Sequence, residues 1–235
     1  MMRLMGVELR KLVTTRSTWG IAAGMILVVV MGALQTSGHP SEVGQALTER
    51  QFWFLAVING SIFLAILGVK FVTDEFRYQT IVPTLLVTPR RGSVVAAKLA
   101  VIAASGGALA VLAMGAAVSA ALPDVGRAPT GAELRSLLLF GVGGALWTAI
   151  AGGVGFIVKH QTGAVVGAIV WVLLGEQLIG STTEGLGDAL PVGALGTFAV
   201  TTQPGPALAA ASILLAYTAA AVAAATVIMR RRDVV

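Results

Sequence analysis

Residues 141–155 read "GVGGALWTAIAGGVG". The stretch carries no charge and lies within a longer uncharged run, 136–158. A helix needs about 20 apolar residues to cross the hydrocarbon core of a bilayer. The run is long enough, and its glycines and alanines suit a helix whose backbone must approach its neighbours. Between lipid-embedded helices there is no hydrophobic drive, so close van der Waals contact of small residues takes its place. "SGGALA" (105–110) and "GAVVG" (163–167) repeat the pattern. Helix packing is the first use we assign to these residues; a glycine-lined substrate path is the second. No inverted internal repeat of the transporter kind is evident.

Working outward, candidate spans fall at 18–36, 52–71, 94–121, 136–158, 162–180 and 207–229. Composition agrees. The chain of 235 residues is 56% hydrophobic and 11% charged, against roughly 25% charged in soluble domains. So little charge cannot cover a soluble surface. We expect an all-α integral membrane protein, a single transmembrane domain over 1–235 with six transmembrane helices. There is no cysteine, which removes disulfides, thiolate metal sites and a cysteine nucleophile. His39 and His160 fall on opposite membrane faces in this topology and cannot share a metal. The uncharged stretch 17–38 exceeds the ~7–15 apolar residues of a signal-peptide core and lacks a small-residue cleavage site, so we read it as a retained first span.

The net charge is +5. Cations flanking spans on the cytoplasmic side explain it and leave no call for nucleic acid. With the N-terminus inside, Arg3, Arg10, Lys11, Arg16, Lys70, Arg77, Arg90, Arg91, Lys98, Lys159 and Arg230–Arg232 lie on the cytoplasmic side. Only Arg50, Arg127 and Arg135 lie outside, which accounts for all 16. Both termini are therefore expected in the cytoplasm. The Ala-, Gly- and Val-heavy usage suggests a GC-rich bacterium and hence its cytoplasmic membrane.

Two segments are not simple spans. No charge occurs from Ala189 to Met229. As one helix this would run about 60 Å at ~1.5 Å per residue, twice the core thickness. Pro191, Pro204 and Pro206 interrupt it, so 189–203 reads as a separate short outer re-entrant element before the last helix. At the other end, Met2, Met5, Leu9, Leu12 and Val13 share a helical stripe, with Arg3, Glu8, Lys11, Thr14 and Thr15 opposite. This predicts an amphipathic interfacial helix over 1–17, basic face toward the headgroups. Trp19 then anchors the entry to span one.

Recognisable reaction chemistry is missing. No G-x-x-x-x-G-K-[ST] phosphate loop, H-E-x-x-H or G-x-S-x-G motif occurs. Any uphill work must draw on energy from elsewhere. Glu176 in "WVLLGEQLIG" is the one acid close to the membrane interior. It is a candidate for an outer gate or a transport path; hydration at the interface, or a hydrogen bond to a neighbouring helix, is the alternative.

Residues 73–92, "TDEFRYQTIVPTLLVTPRRG", concentrate charge between spans two and three. Over 76–88 the residues Tyr78, Ile81, Val82 and Leu85 form an apolar stripe if the segment is helical. Asp74 is placed to cap that helix, and Glu75 to favour its positive end. Pro83 either opens a shorter helix at 83–88 or divides the pattern. The stripe can lie on the inner leaflet or enter a cytoplasmic partner.

The layout resembles the permease subunit of ABC transporters of the ABC-2, or type V exporter, class. "VELRKLVTTRSTW" (7–19) resembles the elbow helix that enters span one. "DEFRYQTIVPTLLVTPRRGSVVAAKL" (74–99) resembles the E-[FY]-R-x-G-T…T-L…P-x-R…AK-L block. The element at 189–203 resembles the short outer re-entrant helices of the class. Two positions depart from the pattern: Gln79 stands where glycine is frequent, and Gln177 follows Glu176 where proline is common. The resemblance implies that Asp74, Glu75, Phe76, Arg77, Tyr78, Gln79, Thr80, Ile81 and Leu85 form a coupling helix. Phe76 and Tyr78 would fill a cleft on an ATP-binding subunit, and Glu75 and Arg77 would orient the contact. Glu8, Arg10, Lys11, Arg16 and Trp19 would belong to the elbow, and Glu176, Gln177, Leu195 and Phe198 to the outer gate or substrate path. It further implies two ATPase copies that carry ATP and Mg, a second permease copy or paralogue, and no catalytic, cofactor or metal site on this chain. The sparse polar groups in the spans favour a hydrophobic or amphipathic substrate, such as a drug, an antimicrobial peptide or a lipid. The rival expectation is a membrane sensor or assembly scaffold that docks a cytoplasmic partner through 73–92.

Overall fold

The computed structural model describes residues 2–37, 50–87, 90–125, 128–183 and 185–231. His39 and the side chain of Leu85 lie outside the described residues. All regular structure among the described residues is helical. The order is α1 (Met2–Thr14), α2 (Arg16–Ser37), α3 (Arg50–Arg77), α4 (Ile81–Val87), α5 (Arg91–Val125) and α6 (Gly131–Val158). Then follow α7 (Gln161–Val170), a π-helical turn (Trp171–Gly175), α8 (Glu176–Gly180), α9 (Leu186–Ala189), α10 (Pro191–Val200) and α11 (Pro204–Arg231). Six stretches are long and apolar enough to cross a membrane: Arg16–Gln35, Leu55–Arg77, Arg91–Pro123, Gly131–Val158, Gln161–Gly180 and Pro204–Arg230. Each overlaps one of the spans read from sequence.

The helices divide into a centre and a periphery. In α3, α5 and α6 between 56% and 61% of the apolar window is buried, against 17% in α2, α7–α8 and α11. Helix α6 packs on α3, α5, α10 and α11, and glycine makes the closest approaches possible. A Cβ on Gly68 of α3 would fall on the Thr148 carbonyl oxygen of α6, and one on Gly107 of α5 would lie 2.8 Å from the Gly141 carbonyl oxygen. Both obstacles are backbone and cannot swing aside. The Trp147 indole N–H donates to the Ser61 carbonyl oxygen at 2.8 Å, which adds a polar tie between α6 and α3.

The helix ends are specified locally. Thr130 and Glu133 form a reciprocal capping box at the start of α6. That helix stops at Lys159, which adopts a left-handed conformation (φ 58°). His160 then caps α7, its Nδ1 accepting from the Gly163 N–H at 3.1 Å.

Three local expectations change, on Asp74, Tyr78 and α1, and the alternative left open at Pro83 is decided. Asp74 does not start a new helix, because α3 continues to Arg77. Pro83 divides the pattern: it is the third residue of the separate helix α4, where the missing N–H would have had no partner within the helix. Tyr78 lies in the turn before α4, so it does not share a helical stripe with Ile81. Finally, α1 is rotated from the expected pose. Glu8 and Leu12 are buried, while Met2, Val7, Leu9 and Val13 are exposed.

We expect Gly107→Val to destabilise the chain by about 1–3 kcal/mol, because overpacking here cannot relax through a side chain. Gly167→Ala meets nothing within 4 Å and should leave thermal unfolding in detergent unchanged or slightly raised. Equal melting behaviour of the two variants would contradict the close-packed centre.

Candidate functional site

At the end of the bundle that carries α1, four ionisable side chains meet. Lys98 lies seven residues into α5, or about 10 Å along the helix, and is 1% exposed. Its Nζ bonds the Glu8 carboxylate and lies 2.9 Å from Glu75 Oε1. Lys11 Nζ donates to Glu8 Oε1 at 2.9 Å and to Glu75 Oε1 at 2.7 Å. Two lysines and two carboxylates therefore form a neutral set that joins α1, α3 and α5. The Lys98 ammonium also sits 4.4 Å from the centre of the Phe71 ring, a favourable cation–π placement. Glu75 Oε2 is buried and has no hydrogen-bond partner.

A single buried charge here would be costly; pairing is what makes the cluster tolerable. Burial alone would push the Glu8 carboxyl up. The ammonium groups of Lys98 and Lys11 outweigh it and hold the carboxyl below its ordinary value. Burial likewise works against charged Lys11, yet Glu75 and Glu8 raise it above its ordinary value. A cavity of about 280 Å³ borders the set, with Ile21, Leu67 and Phe71 in its wall.

The structure distributes the residues of 73–86 differently from a single outward docking helix. Glu75 is turned inward, onto Lys11 and Lys98. Phe76 is half-buried, edge-on to Phe156 of α6 with ring centres 6.1 Å apart, and the Lys159 ammonium lies 5.4 Å from its ring centre. Asp74 pairs with Lys70 and accepts from the Gln161 side-chain amide at 2.7 Å. Arg77 donates to Gln161 Oε1 at 2.6 Å and stacks over Tyr78 at 5.5 Å. These contacts bind the end of α3 to the start of α7. What remains outward is Tyr78 (64% exposed), Gln79, Thr80, Pro83 and Leu86 (79% exposed), while Ile81 is buried. Gln79 has φ 55°, a left-handed conformation that glycine adopts without strain. Arg10 and Arg16 are exposed. Trp19 is exposed too, with its indole N–H on the Val13 carbonyl oxygen at 2.8 Å.

The opposite end has its own polar centre. The Glu176 carboxylate accepts the Trp171 indole N–H at 2.9 Å, the Val192 N–H at 2.9 Å and the Gly193 N–H at 3.1 Å. Val192 and Gly193 belong to the first turn of α10, whose N–H groups have no partner inside the helix. Glu176 thus caps α10 from a neighbouring helix and compensates its positive end. A Cβ on Gly193 would collide with the Gly187 carbonyl oxygen, so glycine allows α10 to lie against α9. Gln177 is exposed and borders a cavity of about 380 Å³ with Glu176. Leu195 is fully buried, and with Phe198 it packs onto Gly143 of α6.

Comparison with known protein families and with curated proteins finds no match. Two residues central to this geometry escaped the sequence reading. Lys98 reads as one of the flanking cations, although its place inside an otherwise uncharged run signals a buried partner. Gln161 gave no signal at all.

Lys98→Met should destabilise the chain by about 3–5 kcal/mol, since it leaves buried carboxylates short of a cation. In the parent, the Glu8 contribution should be complete above its ordinary value of 4.5 and lost as pH falls through its lower folded value. The Lys11 contribution is complete below its ordinary 10.5 and lost as pH rises through its higher folded value. Neither group should therefore make thermal unfolding depend on pH between these limits. At Glu176, replacement by Gln keeps one acceptor oxygen but turns the other into an NH2 donor among the N–H groups of Trp171 and α10. A loss of about 1–3 kcal/mol is expected, read by the melting temperature together with Trp171 fluorescence.

Proposed function

We propose that this chain is the membrane-spanning permease subunit of an ATP-driven exporter of the ABC-2 class. It would move a hydrophobic or amphipathic compound across a bacterial cytoplasmic membrane, with both termini in the cytoplasm. The observation that carries the reading is the anatomy of the α3–α4 turn. The turn follows the end of the central helix α3, which is held to α1 through Glu75 and Lys11, to α6 through Phe76 and Phe156, and to α7 through Asp74, Arg77 and Gln161. It exposes Tyr78 and Leu86 at the site where the resemblance puts ATPase docking. The chain has no phosphate loop of its own, so a force applied there from a separate ATP- and Mg-bearing subunit would enter the packed centre directly.

The individual roles are revised accordingly. Tyr78, Gln79, Thr80 and the outward side of α4 would touch the partner. Glu75, Phe76, Asp74 and Arg77 would transmit the motion through the ion set, Phe156 and Gln161. Helix α1 would be the elbow, its exposed Met2, Leu9 and Val13 in the inner interface and its charged side against the protein. Helix α10, held by Glu176, would be the outer re-entrant element. Two permease copies and two ATPases would make the complex, because paired ATPases offer two docking clefts.

The test is purification from native membranes. An ATP-binding subunit should accompany the chain, and Tyr78→Ala/Leu86→Ala should cut coupled transport at least tenfold without lowering the melting temperature. Phe76→Ala is a poor probe, since it opens a hole against Phe156. Co-purification of a signalling kinase and no ATPase would instead support a sensor or scaffold.

A further inference from the structure

One oxygen of the buried ion set is left over. Glu75 Oε1 meets both ammonium groups, Lys11 at 2.7 Å and Lys98 at 2.9 Å. Glu75 Oε2 is buried and has no hydrogen-bond partner, on a residue only 5% exposed. A carboxylate oxygen so placed is unfavourable until a donor reaches it. Glu75 also lines the cavity of about 280 Å³ that borders the set. The terminal torsion of a glutamate is soft. A donor in the cavity can therefore meet Oε2 after a small turn of the carboxyl, with Oε1 still beside the lysines.

The surroundings define that donor. Lys11, Lys98, Glu8 and Glu75 sum to zero charge, and so does the Lys70–Asp74 pair on the same cavity. A hard metal ion wants about six oxygens or more, and here it would sit beside two ammonium groups. A donor that brings its own counter-charge fits better. Thr18 and Ile21 come from the first turns of α2, and Leu67 and Phe71 from the closing turns of α3. Both helices are long and apolar enough to cross a bilayer, so the cavity lies near the level of lipid headgroups. Ile21, Leu67 and Phe71 give it an apolar wall for the root of an acyl chain. The half-buried ammonium groups of Lys11 and Lys70 also border it, and such groups bond phosphate oxygens strongly. The rings in the wall, Phe71 and Tyr78, already carry Lys98 and Arg77, which disfavours the aromatic recognition of a quaternary ammonium. A primary ammonium next to a phosphate, on an apolar tail, answers all of these features.

We propose that this cavity holds the phosphoethanolamine headgroup of a membrane lipid, whose primary ammonium donates to Glu75 Oε2. The proposal rests on the membrane-spanning character of α2 and α3 and is independent of the exporter reading.

Native mass spectrometry of the purified full chain tests it, after exchange with phosphatidylethanolamine or phosphatidylcholine of the same acyl chains at equal concentration. The two headgroups carry the same charges and differ in the N–H donors. A third arm adds soluble O-phosphoethanolamine in excess. Phosphatidylethanolamine should be retained about tenfold over phosphatidylcholine and resist the soluble headgroup. Thr18→Trp fills the cavity and leaves the four residues of the ion set in place; it should bring the ratio to about one. Glu75→Gln keeps an acceptor for the lysines but turns Oε2 into an NH2 donor, and it should do the same. Thr18→Trp carries the test alone if Glu75→Gln fails to fold. Equal retention of the two lipids by the parent overturns the proposal and leaves the cavity to water. A Thr18→Trp variant that keeps the parent's preference overturns it too. Displacement by O-phosphoethanolamine also overturns it, by making the cavity a site for a soluble amine.

Discussion

The structure depends on the near absence of side chains where α6 meets α3 and α5. Lipid tails are as apolar as leucine, so burying a leucine between two such helices gains little over leaving it in lipid. What favours association is the density of contact, and that grows as backbones approach. Gly68 and Gly107 bring theirs against Thr148 and Gly141. The three central helices are thereby fixed as a block. The less buried α2, α7–α8 and α11 are seated on that block.

Such packing says where the helices touch but not how far each slides along its neighbour. Charge supplies that information. The Lys98 ammonium must meet Glu8 and Glu75 together, and a shift of one turn, about 5 Å, would strand a charge in an apolar setting. The same set fixes the rotation of α1, which turns its Glu8 side inward although its apolar residues could have covered the protein surface.

The six apolar runs could be read directly because each is long, carries at most one charge and is bounded by charge or proline. The separation of 189–203 from the last helix followed from Pro191 and Pro204 in the same way. The junction at 73–86 was harder. Its charge stands out against the apolar chain, but the sequence does not say whether a charged side chain on a helix end faces a partner protein or its own fold. Glu75 and Phe76 turn inward because Lys98 and Phe156, far along the chain, wait for them. Pairings across such separations leave no periodic mark. Glu176 is a similar case: an acid in the last turns of a span signals a special environment, yet that it caps α10 follows only from the fold of 185–193.

The π-helical turn at Trp171–Gly175 has a consequence for the phase of its helix. Ala164, Ala168, Val172 and Glu176 all face the protein, and they are spaced by fours. In a regular helix each four-residue step overshoots a full turn by about 40°, so three steps would carry the fourth position well round toward the outer surface beside Leu173. The wider turn, in which the Glu176 N–H reaches back five residues to the Trp171 carbonyl oxygen, absorbs that precession. It works as a phase corrector, keeping the helix's single acid out of the hydrocarbon while its flanks stay greasy. The span is thus tuned in azimuth by one irregular turn; wound as regular α-helix at the same length, it would rotate a carboxylate into oil.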